Sequence, residues 1–150
     1  MRVVVQRVSS AYVDIDSLRH EQIGSGFLLL LGIESSDTTE DIQWLVRKLL
    51  TLRIFSDPED KMNLSITDVT GQILVVSQFT LHASIKKGTR PSFIKAATPE
   101  IAIPLYQLFL SELQHQSGLV VKAGIFAAKM QVGLVNDGPV TIIIDSKHKE

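Results

Sequence analysis

Polar side chains end an apolar run that has the character of a buried strand. Residues 73–79 are predicted to form that strand, and Ser77, Gln78 and Thr80 flank Phe79 at its end. Strand ends are common places for sites, and backbone N–H groups there could stabilise the oxyanion formed during ester hydrolysis. Alternatively, Gln78 and Thr80 merely satisfy neighbouring backbone groups and Phe79 packs in the core. The residue types leave both interpretations open.

Ser77 and Thr80 are also the candidate hydroxyl nucleophiles. A hydroxyl nucleophile needs an adjacent base, and the chain has no G-x-S-x-G motif. His82 follows Thr80 by two residues, so on a strand the two would share a face. Such neighbours are too far apart for a good hydrogen bond, which favours His82 as a residue at the rim of the site. We therefore predict that the Thr80 hydroxyl orients substrate or water and is not acylated.

The histidines do not have the spacing of a metal site. None of them lies three or four residues from another; they are His20, His82, His115 and His148. Asp16 and Glu112 precede two of them at that spacing, but a third ligand is not evident. Cysteine is absent, which excludes disulfides, a thiol nucleophile and Cys-based zinc sites. We predict neither a metal nor a cofactor.

The stretch Asn136-Asp137-Gly138-Pro139 cannot continue a helix or a central strand. Apolar runs at residues 130–135 and 140–144 flank it. The pattern predicts a sharp turn between two strands, with a Gly-Pro peptide bond in the turn. Residue types alone favour a trans bond, because only about 5–6% of X-Pro bonds in folded proteins are cis.

A short basic loop follows the 73–79 strand. It contains Lys86, Lys87 and Arg90, whereas the whole chain has a net charge of −1. No overall basic field points to nucleic acid, so an RNA ligand would have to be held by a local patch such as this one. The alternative is a solvated surface loop.

The elements that position these residues alternate between strands and helices. The predicted strands cover residues 3–8, 11–13, 18–23, 27–33, 73–79, 119–125, 130–135 and 140–144. We expect a first helix capped by Asp37, with Glu40 as its capping-box partner. Its apolar stripe is formed by Ile42, Leu45, Val46, Leu49 and Leu50. We expect a second helix capped by Thr98 and ended by Gly118, and Pro104 makes it either start near Ile103 or kink.

This order indicates one α/β domain over residues 1–150, with mixed strand directions. The longest apolar run, residues 27–33, is far too short to span a bilayer, and the start of the chain lacks a signal-peptide pattern. The absence of cysteine is compatible with a reducing compartment. We therefore expect a cytoplasmic protein with no membrane partner.

Two motifs, SQFTL at residues 77–81 and NDGPVT at residues 136–141, resemble the signatures of the D-aminoacyl-tRNA deacylases. Further segments are similar to that family in the same order: MRVVVQRVSSAYV, LLLLGIE, LRIFSDPEDKMNLSITDV, KKGTRPSF and GIFAAKMQVGLVNDGPVT. The match covers nearly the whole chain and is specific. It implies a layered or barrel-like α/β core of mixed sheets with two main helices, assembled as a homodimer.

The resemblance also implies a substrate, a D-amino acid esterified to the terminal adenosine of tRNA. Ser77, Gln78, Phe79 and Thr80 would line the pocket for the adenosine and the ester, with Thr80 and Gln78 in the catalytic positions. A later segment with two further substrate-binding residues would border the pocket; these are Phe126 and Met130.

Gly138-Pro139 resembles the family's cis Gly-Pro pair, which enters the pocket of the partner subunit. Arg7 resembles the arginine that braces this pair. With the ammonium and the ester both fixed, an L side chain would be driven into backbone and a D side chain would point outward. Selection would then work by steric rejection, and glycine would be accepted. The basic residues Lys86, Lys87 and Arg90 would contact tRNA phosphates.

The chain departs from the family pattern at two positions. Ala127 stands where the family often has Gly, which would narrow the pocket by a methyl group. Gly133 stands where a Ser is frequent in the family, and we expect this difference to affect the packing of the strand and not the pocket. Neither position lies in the two signatures.

Two other function classes remain beside the esterase. One is a non-catalytic tRNA-binding or editing-like module with the same fold, as in synthetase-linked domains. The isolation of this domain in a chain of its own argues against that class. The other is a dimeric structural protein in which NDGPVT only locks an interface.

Overall fold

A computed structural model describes residues 1–86 and 88–149 and shows a mixed sheet of six strands with two helices. The strands are β1 (Arg2–Ile15), β2 (Leu18–Ile23), β3 (Gly26–Gly32), β6 (Gln72–Ser77), β7 (Val121–Ala123) and β8 (Met130–Asp145). Two short strands, β4 (Phe55–Ser56) and β5 (Met62–Leu64), pair separately. The helices are α1 (Thr39–Thr51) and α2 (Pro99–Ser117). The sheet curls into a nearly closed, barrel-like core, so the predicted fold class is confirmed.

The long strand β1 is the centre of the sheet. One edge pairs with β3 through residues 2–8 and with β2 through residues 11–15, and the other edge pairs with β8. The prediction of two separate strands in this region is wrong. Val3 and Val5 pack in one cluster and Val8 in the other, and the register shift between Val8 and Ser10 places Ala11 and Val13 in the cluster of Val8. One strand thereby contributes to two different cores.

The strand β8 runs from Met130 to Asp145 without the predicted hairpin. Asn136 lies opposite Val8 and Thr141 lies opposite Gln6, so residues 137–140 together face one residue of β1. We call residues 137–140 the Gly-Pro bulge. The residues that favour turns do interrupt the pairing of the strand, as predicted. The chain does not reverse there, however, and β8 continues to pair with β1 on both sides of the bulge.

Strands β3, β6 and β7 are parallel, and β3 is apolar on both faces as predicted. Alternate residues of β3 face different cores. Phe27, Leu29 and Leu31 pack under α1 and α2, whereas Leu28 packs in the second cluster with residues of β1, β2 and β6. Burial on both faces explains why this strand reads as a continuous apolar run.

Helix α1 begins one residue later than predicted. Its N-cap is Thr38, and the capping box is completed by Asp41 instead of Glu40. Asp37 is fully buried and forms an ion pair with the α-ammonium of Met1. Four residues of the predicted apolar stripe, Ile42, Leu45, Val46 and Leu49, are buried, and the fifth, Leu50, is half-buried.

Helix α2 begins at Pro99, capped by Thr98, and ends at Gly118, which has a left-handed φ of 64°. The alternative start near Ile103 is therefore wrong. Pro104 lies inside the helix on its exposed side, where water can solvate the carbonyl that lacks its usual donor. Within the described part of the chain, no helix has the length and apolar character needed to cross a membrane.

Candidate active site

The carboxyl ends of β3 and β6 open into a cavity of about 580 Å³. The start of α2 and the segment that joins β7 to β8 complete its walls. The cavity contains five of the residues predicted for the site, namely Ser77, Gln78, Phe79, Phe126 and Met130. Its remaining lining is almost wholly apolar, so polar recognition depends on a few groups at the end of β6.

Strand β6 ends at Ser77, and a 3₁₀ helix over Phe79–His82 follows it. The Gln78 N–H donates to the Leu31 carbonyl at 2.8 Å, which ties this turn to β3. The first N–H groups of a 3₁₀ helix have no partner within the helix. Among residues 1–86 and 88–149, no acceptor pairs with the N–H groups of Phe79 and Thr80. Two consecutive donors thus remain at the end of β6. Phe79 lines the cavity, whereas Thr80 follows it and is not one of the lining residues.

Thr80 is exposed, and its Oγ1 accepts a hydrogen bond of 2.5 Å from Gln78 Nε2. The hydroxyl proton of Thr80 is therefore free to be donated elsewhere. No histidine or carboxylate within the described ranges forms a hydrogen bond with this hydroxyl. Within the described residues, the only side chain that forms a hydrogen bond with the Thr80 hydroxyl is Gln78, which is not a base.

The arguments that place Thr80 and His82 on one strand face are wrong, because both residues lie in the 3₁₀ helix. His82 is also not a rim residue. Only 4% of it is exposed, and its Nε2 is buried without a partner in the described structure. We expected the strand to continue through these residues, because the polar residues 77–80 carry no local signal that a 3₁₀ turn begins there.

The Gly-Pro bulge lies outside this cavity. Gly138 and Pro139 are exposed, and the peptide bond between them is cis. Gly138 has a φ of 137°, and a Cβ there would lie 2.9 Å from the Val140 nitrogen, so only glycine fits. The bulge is closed by Asn136, whose Oδ1 accepts from the Val140 N–H at 2.8 Å.

Arg7 anchors the bulge from below. It is 8% exposed, and its Nε donates to the Asp137 carbonyl at 2.9 Å. The same nitrogen lies 3.2 Å from the Asp137 carboxylate, and Nη1 donates to the carbonyl of Ile54. A planar guanidinium can hold these fixed acceptors together, which a lysine ammonium cannot do with the same geometry.

The basic loop lies between Ser84 and Ser92 and directly precedes Phe93 in the chain. The backbones of Ser84 and Ser92 pair through two hydrogen bonds of 2.8 and 2.9 Å, which close the loop at its base. Lys86 and Arg90 are exposed. Lys87 lies outside the described residues. Immediately after the loop, Phe93 lines the cavity.

Comparison with known proteins identifies the family. The family model described as D-Tyr-tRNA(Tyr) deacylase matches residues 4–145. Proteins named D-aminoacyl-tRNA deacylase from Flavobacterium psychrophilum and Akkermansia muciniphila are 61% and 57% identical, each over the whole of both chains. A solved structure titled c-Myc DNA Unwinding Element Binding Protein is 41% identical and has a TM-score of 0.92, covering 97% of this chain and 98% of the other.

The chain belongs to the D-aminoacyl-tRNA deacylase family. It hydrolyses the ester bond that joins a D-amino acid to tRNA, as the resemblance implied. A structure titled as a probable eukaryotic D-amino acid tRNA deacylase shares the fold, with a TM-score of 0.82 at 19% identity over 95% of this chain and 97% of that one.

Both departures from the family pattern have a structural meaning in this deacylase. Ala127 lines the pocket with a left-handed φ of 63°, a conformation that costs a non-glycine residue about 1–2 kcal/mol. A Cβ added at Gly133 would lie 2.2 Å from Cζ of Tyr12, its partner on β1. Gly133 therefore makes room for the Tyr12 ring, on which the Arg19 guanidinium stacks at 3.5 Å.

Sequence analysis missed Tyr106, which lies on the wall of the pocket. Its hydroxyl donates to the Val75 carbonyl at 3.1 Å, and burial raises the pKa of this phenol well above its ordinary value. Its ring tilts against Phe126 with the ring centroids 5.7 Å apart. The signal was present, because Tyr106 falls on the buried stripe of α2 with Ala102 and Phe109.

Proposed function

We propose that the N–H groups of Phe79 and Thr80 form the oxyanion hole for ester hydrolysis. The observation that carries this proposal is the pair of unpartnered donors beside a cavity of about 580 Å³. Water attacks the ester carbonyl carbon, the carbonyl oxygen becomes negative and receives both N–H bonds, and the bond to the ribose oxygen breaks as that oxygen takes a proton. Preorganised donors of this kind contribute roughly 3–4 kcal/mol each to such a transition state.

The terminal adenosine occupies the apolar cavity, with its ring between the walls that carry Tyr106, Phe126 and Met130. Ser77 and Gln78 supply the polar contacts at its edge. Thr80, with its proton free, orients the ester or the attacking water. Since no basic side chain in the described residues bonds to Thr80, the ribose 2′-hydroxyl of the substrate is the group that assists the attack.

The enzyme acts as a homodimer, and the Gly-Pro bulge of one subunit enters the pocket of the other. Gly138 and Pro139 are exposed, lie outside their own subunit's cavity, and are held by Arg7 and Asn136. The bulge carbonyls hold the substrate ammonium, and its backbone blocks the direction of an L side chain. Lys86, Lys87 and Arg90 contact the phosphates of tRNA, which the enzyme meets in the cytoplasm.

Deacylation of D-Tyr-tRNA and L-Tyr-tRNA tests the function as a whole. We expect rapid loss of the D ester and persistence of the L ester. Binding of tRNA without turnover would instead identify a non-catalytic tRNA-binding module, and the loss of both esters at one rate would refute chiral selection.

The substitution Thr80→Ala tests the role of the hydroxyl. We expect a partial loss of kcat, because the backbone donor of residue 80 remains. An aminoacyl adduct on Thr80, detected by mass spectrometry of the quenched wild-type reaction, would show that Thr80 is a nucleophile after all.

Mixed dimers test whether the bulge acts in trans. Gly138→Ala disturbs the bulge, and Ala97→Phe fills the cavity; each variant alone should be inactive. Co-refolding the two should restore up to half of the wild-type activity per mixed dimer, since one intact bulge then meets one intact cavity. Circular dichroism and light scattering establish that each variant is folded and dimeric. Inactive mixed dimers would mean that each bulge serves the pocket of its own subunit, which would refute action in trans.

Glycine distinguishes steric rejection from recognition of a D side chain. A pocket that only blocks an L side chain accepts glycine, so Gly-tRNA should be hydrolysed measurably while L-Ala-tRNA persists. Single-turnover rates for Gly-, L-Ala- and D-Ala-tRNA give the answer. If glycine is spared as fully as L-alanine, the site recognises the D side chain by positive contacts.

A further inference from the structure

Two phenylalanine rings form an exposed pair at the mouth of the cavity. Phe79 and Phe93 pack edge to face, with their ring centroids 5.0 Å apart and an interplanar angle of 75°. Phe79 is 56% exposed and Phe93 is 36% exposed, although both residues line the cavity. Large apolar rings at this exposure, beside a substrate pocket, point to a ligand surface.

The position of the pair relates the pocket to the basic loop. Phe79 follows the end of β6, and Phe93 follows Ser92, which pairs with Ser84 to close that loop. The exposed cations Lys86 and Arg90 lie within the same loop. Phe93 therefore lines the cavity and also lies three residues after Arg90 in the chain.

We propose that the Phe79–Phe93 pair is a stacking platform for the base of the cytidine that precedes the terminal adenosine of tRNA. This inference rests on the proposed placement of the adenosine in the cavity. With the adenosine inside, the next phosphate and the next base lie outside, where single-stranded nucleic acid is held by cations and aromatic rings. In the tRNA substrate, such a base belongs to the nucleotide next to the terminal adenosine.

The test uses D-Tyr-tRNA with either the normal cytidine or an abasic nucleotide next to the terminal adenosine. Loss of one stacked base should lower kcat/KM of the wild-type enzyme by roughly 5- to 100-fold. In Phe93→Leu the two substrates should differ by less than about 3-fold, because the ring pair is gone. Phe93→Tyr retains an aromatic face and should restore the wild-type ratio.

Ile94→Ala is the matched control, since Ile94 is 91% exposed and adjacent to Phe93. It should keep the wild-type ratio between the two substrates. An equal ratio in wild type and Phe93→Leu would overturn the platform. D-tyrosyl-adenosine, which lacks the cytidine, separates this failure from that of the proposed site: if the wild-type enzyme cleaves it, the adenosine pocket stands even when the platform falls.

Discussion

At the scale of single residues, a buried polar network fixes the start of α1. The Asp41 carboxylate accepts from the Ser146 hydroxyl at 2.7 Å and from the Lys147 ammonium at 2.7 Å, and it also bonds the Thr38 N–H at 2.8 Å. Burial raises the pKa of Asp41, but these hydrogen bonds outweigh it and hold the pKa well below its ordinary value. The ionised form is therefore the one that stabilises the fold.

This network predicts acid sensitivity. Because the pKa of Asp41 is lower in the folded chain, the unfolded state binds more protons, so its contribution is present above about pH 4 and is lost as pH falls toward the folded pKa. Asp41→Asn should lower the free energy of unfolding at pH 7 by about 1–3 kcal/mol and flatten its decline toward pH 2. Urea denaturation across this range measures both. Glu40→Gln, an exposed neighbour, should keep the wild-type profile, and an equally steep decline in Asp41→Asn would refute the assignment.

Ala127 allows a second prediction at this scale. Its left-handed backbone disfavours any side chain, so Ala127→Gly should raise the free energy of unfolding by about 0.5–1 kcal/mol after the entropy of glycine in the unfolded chain is subtracted. Ala128→Gly is the matched control and should be destabilising, as glycine usually is. A loss of stability in both variants would show that the local conformation at residue 127 carries no strain.

At the scale of elements, the pairing of β1 with β8 decides where functional groups lie. Tyr12 opposite Gly133 sets the register of one half, and the bulge opposite Arg7 separates it from the other half. An aromatic ring that covers a cross-strand glycine is a known device for holding register. The bulge of β8 is therefore held in place by paired segments before and after it.

Gly133→Ser tests this arrangement. The new Cβ would collide with the Tyr12 ring, so we expect a loss of about 1–3 kcal/mol in the free energy of unfolding. Combining it with Tyr12→Val should cost less than the sum of the two single changes, because the collision disappears. Additive costs from urea denaturation would mean that the ring moves aside freely.

Sequence patterns predicted those elements whose structure is determined by residues close together in the chain. The apolar run of β3, the stripe of α1 and the Thr98–Pro99 start of α2 depend on nearest neighbours and helical periodicity, and they were predicted. The N-cap of α1 was misplaced, because Asp37 and Thr38 are both good caps and Asp37 is instead paired with Met1, which is 36 positions away. The bulge was read as a hairpin since its partner, Arg7, is 130 positions away.

The site divides along the same line. The pocket residues were assigned through the family motifs, and the structure brings Ser77, Gln78, Phe79, Phe126 and Met130 to one cavity. Thr80, also predicted to line it, is not one of the lining residues. The N–H groups of Phe79 and Thr80 lack partners because a 3₁₀ helix begins there. The residue types in this segment do not predict that helix. The left-handed φ of Ala127 was likewise hidden, because alanine is not a residue that marks this conformation.

At the scale of the whole molecule, the positive and negative charges nearly balance and leave no overall basic field for RNA. The chain has a net charge of −1, so the binding of tRNA proposed above would depend on local cations such as Lys86 and Arg90. Replacing both by Ala should reduce the slope of log K against log salt by about 1.4–1.8, since each phosphate contact contributes roughly 0.7–0.9. Filter binding of tRNA from 50 to 300 mM KCl measures the slope. Lys61→Ala, on the separate β4–β5 hairpin, is the control, and an unchanged slope in the double variant would remove the loop from the interface.

The pairing of β1 with β8 also has a consequence during synthesis. Arg2 pairs with Asp145 and Ile15 with Met130, so the edge of the first strand has no partner until the last strand has left the ribosome. Contacts of such long sequence separation slow folding, and an unpaired strand edge invites association with other chains in the interval. Truncated nascent chains that end before residue 130 should therefore bind chaperones and resist compaction, although they already contain α1, α2 and the whole SQFTL turn.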